Sequence, residues 1–209
     1  MLRRAEEQEV QPMDVVEINT LATKKSANGE SNRVTLRRFT RTQHDRAELH
    51  WTNTGAFTNI DRYRVFLGSM SSIHRTLGFT ASANNIGHST EFEDARVLAL
   101  HSDLGVSAEP ERFPNSLPMT SDFAWGVLYV LNGSAMGAST LLKSKVIDPS
   151  WPTAYLRTMQ YFVRSGALAA FFRSLNSIPL DTTQAVMGAR AVFDAISEAH
   201  LIDGELNHG

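Results

Sequence analysis

Between Ser121 and Ile147 the chain runs without a proline through FAWGVLYVLNGSAMGAST, an apolar segment long enough to cross a small domain as one helix. The spacing predicts a central helix from Ser121 to Ile147, stopped by the prolines of DPSWP. Within it stand Gly133 and Gly137, four residues apart, where glycine costs roughly 1 kcal/mol relative to alanine. Glycines at this spacing share one side of a helix and let something approach the backbone. Two readings follow: another helix crossing there, the commoner case, or a flat ligand lying across the helix, which the glycines also allow to bend.

The flanking segments repeat the helical period. Thr40 or Thr42 is placed to cap a helix carrying His44, Ala47, Glu48 and Trp51. In IDRYRVFLGSMSSIHRTLGF, residues Tyr63, Phe66, Leu67, Met70, Ile73 and Leu77 recur at threes and fours and form one apolar face. STEFEDARVLALHSDLG predicts a further helix, with Ser89 or Thr90 at its start, acids in its first turns and Gly105 at its end. Beyond the central helix, AYLRTMQYFVRSGALAAFFRSL and TTQAVMGARAVFDAISEAHL each predict one helix. No alternating run competes as a strand. The fold class is therefore all-α, a single-domain bundle of roughly six to eight helices. Residues 1–34 lack a sustained period and are expected to form a flexible leader, with the helical domain over 35–209.

Composition narrows the function classes. A net charge of -2 gives no reason to expect a nucleic-acid partner, and Asn132, Gly133 and Ser134 interrupt the longest apolar stretch before it could span a bilayer. With no cysteine, any metal chemistry must use histidine, carboxylates or tyrosine. The N-terminus has no apolar signal core, so the expected location is the cytoplasm.

A flat ligand such as haem on the glycine face requires an imidazole from the opposite side. There are seven histidines. His208 is expected in a tail and His88 in a loop. Ordinary exposure or a satisfied polar contact accounts for His74, His101 and His200. His44 and His50 share the first helix, and His44 has Glu48 one turn further on the same face, where a carboxylate fixes the tautomer of a metal-bound imidazole. The same spacing is common on solvated helices, so the residues alone leave His44 between surface residue and ligand.

The segments LRRFTRTQHDRAELH, YRVFLGSMSSIH, LALHSDLG and WGVLYVLNGSAMGAS, in this order and spacing, resemble the haem oxygenases, especially the bacterial biliverdin-producing branch often associated with phytochromes. The likeness extends from about Thr35 to Leu201. It implies a single-domain helical bundle of the haem oxygenase type, in which haem lies between a proximal and a kinked distal helix. The implied reaction consumes haem, O2 and electrons from a ferredoxin or NAD(P)H-dependent reductase, and yields biliverdin, CO and ferrous iron. A bacteriophytochrome is the implied biliverdin acceptor.

Carried over by position, His44 matches the proximal iron ligand and Glu48 the acid that follows it. Gly133, Ser134 and Gly137 match the distal glycine-rich segment, where steric closure directs activated oxygen to a meso carbon and Ser134 with ordered water delivers protons. Arg37 and Arg173 match basic positions that pair with propionates, and Tyr129, Phe162 and Phe193 are candidate ring contacts. The chain departs from the family pattern at Asn132, where a glutamate is usual, at Ala138, where a second glycine is usual, and at Ser139 and Thr140, where an arginine follows. Two rivals remain: a non-catalytic haem-binding or haem-sensing protein using the same residues, and a di-iron oxidase, for which the only Glu-xx-His spacing is Glu205 to His208.

Overall fold

The computed structural model describes residues 29–84, 90–106 and 119–198. The leader up to residue 28, and the expectations placed on His88, Ser89, His200, Glu205 and His208, lie outside them. The helices are α1 (Asn32–Phe39), α2 (Arg41–Asn53), α3 (Ile60–Ile73), α4 (Phe79–Asn84), α5 (Glu91–Leu104), α6 (Ser121–Ser144), α7 (Ala154–Arg164), α8 (Ala167–Ser177) and α9 (Thr182–Glu198). A π-helical turn, His74–Gly78, joins α3 to α4 in one rod. Among the described residues there is no strand, and no helix is long and apolar enough to cross a membrane.

The long apolar run forms the central rod, α6, against which α9, α7 and α4 pack. Its buried side chains include Trp125, Val127, Leu128, Leu131 and Ala135. Two glycines set the α6–α9 crossing. A methyl at Gly126 would overlap the carbonyl oxygen of Ala185, and one at Gly188 would overlap that of Phe123. Close helix approach, the commoner reading of Gly133 and Gly137, is found instead at Gly126 and Gly188.

Four details correct the reading from sequence. The fold begins before residue 35: Asn32 donates from Nδ2 to the carbonyls of Leu175 (2.7 Å) and Ile178 (2.9 Å), tying α1 to the end of α8. Thr40 precedes α2 as expected, but its hydroxyl donates to the Leu36 carbonyl and caps nothing. The central helix ends three residues early, because Lys145 adopts a left-handed conformation (φ 56) after Ser144. The expected helix over 154–175 is two helices, broken at Gly166, whose φ of 82 suits glycine and halts the first rod.

Candidate functional site

On α6, Tyr129, Gly133 and Gly137 recur every four residues and so form one stripe. A methyl built at Gly133 or Gly137 would meet no atom within 4 Å, the opposite of Gly126 and Gly188 on the same helix pair. Gly137 and Met136 are exposed, and Gly133 is half-buried. Among the described residues, nothing is packed against α6 at these two glycines.

The Tyr129 end of the stripe lies near the arginines of α1. Burial pushes the Tyr129 phenol up, and the nearby guanidinium groups of Arg33 and Arg37, with the Thr40 hydroxyl, oppose that shift. Thr40 is the residue from which α2 starts, and its carbonyl accepts the His44 backbone N–H at 2.9 Å. Thus the arginines of α1 and the α1–α2 junction at Thr40 lie near the Tyr129 end of the glycine stripe. His44 stands one turn further along, edge-on to Phe193 of α9 with ring centroids 6.1 Å apart.

The His44 side chain is 63% exposed. Its Nδ1 lies 3.5 Å from Asp45 Oδ1 and 3.9 Å from Glu48 Oε2, so two carboxylates, not Glu48 alone, face that nitrogen. Both distances exceed a good hydrogen bond; the pair acts as a negative field that draws Nδ1–H towards it and leaves Nε2 as the nitrogen available to a metal. Asp45 was missed in the sequence because i,i+1 neighbours on a helix do not share a face.

Of the remaining expected residues, Arg37 is exposed beside Tyr129. Arg33, which the sequence reading passed over, lies one turn earlier on α1 with its guanidinium 4.0 Å from the centroid of the Phe172 ring. The i,i+4 spacing of the two arginines was the available signal, once α1 is recognised as a helix. Arg173 is exposed on α8, next to Phe172 in sequence but outside the Tyr129 cluster. Phe162 is buried, edge-on to Phe92 at 4.8 Å and under the Arg96 guanidinium at 4.7 Å, in the core between α5 and α7.

Behind the stripe lies a buried polar chain that spacing did not disclose. His74, in the π turn, is fully buried. Its Nδ1 is 2.7 Å from Glu93 Oε2 and its Nε2 is 3.1 Å from the Tyr155 hydroxyl. Glu93 Oε1 is ion-paired with Arg96, and Arg96 donates from Nη2 to Asn132 Oδ1 at 2.6 Å. Gly78 is required here, since a methyl would lie 2.6 Å from Glu93 Oε2. Asn132, where the family resemblance implies a glutamate, is fully buried as a neutral acceptor for Arg96, and the carboxylate comes instead from Glu93.

Ser134 neighbours Gly133 at the edge of the stripe and donates to the Leu131 carbonyl at 2.8 Å. Burial raises the pKa of the Tyr155 phenol, the Arg96 guanidinium opposes the rise and Glu93 adds to it. Among the described residues no three His, Cys, Asp or Glu side chains converge to hold a metal ion, so the di-iron reading finds no donor set there. No protein-family model matches the chain, and no curated protein matches it.

Proposed function

We propose that this chain is a haem oxygenase-type enzyme, which binds haem between His44 and the glycine stripe of α6 and opens it with O2 and external electrons to biliverdin, CO and ferrous iron. One observation carries the reading. Among the described residues, Gly133 and Gly137 give up helix propensity without admitting a neighbouring helix, whereas Gly126 and Gly188 do admit one. A plate lying on the backbone gives the bare stripe a purpose.

The residues present suit that plate. Among the described residues a methyl-sized space lies over both glycines, an exposed imidazole stands on α2, which packs on α9, and Arg33 and Arg37 gather at the Tyr129 end, where carboxylates of a propionate kind would meet cations. His44 Nε2 would hold the iron, with Asp45 and Glu48 facing Nδ1 to keep the ring oriented. Phe193 buttresses the imidazole edge. When bound, haem supplies both the oxygen-activating iron and the carbon skeleton that is oxidised. The chain supplies position and exclusion: bare backbone at Gly133 and Gly137 allows close approach from one side only.

The test is a titration with hemin followed by ascorbate or a ferredoxin–reductase pair under air. Growth of a Soret band with one equivalent, then its loss as biliverdin absorption appears, is the expected course. A Soret band that persists as a stable ferrous-oxy spectrum overturns the enzymatic reading in favour of haem binding or sensing, and failure to bind hemin overturns both.

A further inference from the structure

We infer that Tyr155 is a redox-active tyrosine: a one-electron oxidant takes an electron from its phenol while the phenolic proton passes to Nε2 of His74, leaving a neutral phenoxyl radical in the core. The inference holds whether or not the chain takes up haem.

The direction of each hydrogen bond follows from the charges. Glu93 Oε1 is ion-paired with Arg96, so its carboxylate accepts. Glu93 Oε2 lies 2.7 Å from His74 Nδ1, which therefore carries the ring proton. The one carboxylate already balances Arg96, and among the described residues no second one touches the imidazole, so a resting imidazolium would be an uncompensated buried charge. The ring is accordingly neutral, its Nε2 is a lone-pair acceptor, and the Tyr155 hydroxyl 3.1 Å away is the donor. His74 is fully buried and Tyr155 is 2% exposed.

A phenol that has lost an electron is a strong acid. A buried one is cut off from bulk water and needs a base already in contact, and Nε2 is that base. In the step the O–H bond of Tyr155 breaks, an N–H bond forms on His74, and the oxidant is reduced by one electron; the returning electron brings the proton back. Glu93, facing Nδ1–H, stabilises the imidazolium as it forms, as a carboxylate does behind the histidine of a catalytic triad. The π turn makes the arrangement possible, because it holds His74 and Gly78 around Glu93. Of the four tyrosines, Tyr155 is the one whose hydroxyl meets an imidazole among the described residues. Tyr63 donates to the Pro152 carbonyl at 2.9 Å, and an amide carbonyl is too weak a base to keep the proton. Tyr161 is 67% exposed and would release its proton to water, and Tyr129 is half-buried.

The test oxidises the haem-free chain with a photogenerated ruthenium(III) polypyridyl complex. Y161F, which lacks the exposed phenol, serves as the parent. The trapped radical is expected to give an EPR signal that narrows when the tyrosine rings are deuterated, which distinguishes it from a radical on any of the three tryptophans. The signal should disappear when Y155F is added to Y161F. Its rate of formation should not follow buffer concentration, since the proton acceptor is internal, and H74F should slow it about a hundredfold or more, as expected on losing a positioned base. A tryptophan signal in its place, a tyrosine signal that survives Y155F, a rate that follows buffer concentration, or an H74F rate equal to that of the parent overturns the proposal. Should H74F fail to fold, nitrogen-15 NMR of the native chain decides the acceptor: a protonated Nδ1 and a bare Nε2 on His74 are expected, and a proton on Nε2 at rest overturns the assignment.

Discussion

The imidazole of His74 and the carboxylate of Glu93 meet Nδ1 to Oε2 at 2.7 Å, with neither side chain exposed to solvent. Glu93 also balances Arg96, so one carboxylate serves a buried ring and a buried cation together. Removing it in E93A leaves the guanidinium with the neutral Asn132 amide and the Phe162 face as its remaining partners named here. Breaking one side of a buried pair costs about 3–5 kcal/mol. The expected result is a fall of that size in urea-unfolding stability with the m-value unchanged. A loss below about 1 kcal/mol, the range of surface pairs, would contradict this account.

Glycines on α6 should separate into two kinds. In G126A the new methyl collides with the backbone of Ala185 and Ala189, which no side-chain rotation relieves. Overpacking of this kind costs about 1–3 kcal/mol or more. In G133A and G137A the methyl meets nothing within 4 Å, and the haem-free protein should be unchanged or gain up to about 1 kcal/mol from helix propensity. Denaturation curves of the three variants give the comparison. With hemin, G137L should block or misdirect ring opening while the histidine-ligated spectrum persists.

The rods α3, α6 and α9 were legible in the sequence because each carries enough buried apolar residues to announce its face, and α5 because acids open it and Gly105 ends it, whereas α2 buries only Ala47 and Trp51. Segment α1 was not legible. NRVTLRRF is short and rich in arginine, and its register is set by Asn32 bonding to carbonyls of α8, a contact no local pattern encodes. Gly166 ended a helix that Gly133 did not, since only a left-handed φ distinguishes them and that depends on how α8 packs. The same limit applied at the site. His44 with Glu48 is a local spacing and could be found. The chain from Tyr155 through His74, Glu93 and Arg96 to Asn132 joins four elements. Its one local trace was that Glu93 and Arg96 fall on the same side of α5 as Val97 and Leu100, placing charge on a buried face.

Asp103, nearly buried on α5, accepts the Ala154 and Tyr155 backbone N–H groups at 2.8 Å each and so closes the start of α7. Burial raises its pKa above the usual 3.8, and those two hydrogen bonds oppose the rise. A carboxyl whose folded pKa exceeds its unfolded one binds its proton more tightly when folded. Its ionised form therefore weighs against folding near neutrality, and that burden lifts as pH falls through the folded pKa. The stability of the native protein relative to D103N should accordingly increase on acidification from neutral pH. Urea titrations of both proteins at successive pH values measure the difference, and a constant or shrinking gap would contradict the raised pKa.

His44 gives the most direct test of ligation. Its ring is mostly exposed, touches Phe193 only edge-on and faces two carboxylates beyond good hydrogen-bond distance, so H44A removes little packing. Stability should change by no more than about 0.5 kcal/mol, as for other surface substitutions. Iron ligation, by contrast, should be lost. The hemin complex of H44A is expected to lack the histidine-ligated spectrum and to open no haem, and added imidazole should restore both in part by entering the space the side chain leaves. Turnover by H44A equal to that of the native chain would remove His44 from the iron, and His50, half-buried on the same helix, would be the next imidazole to replace.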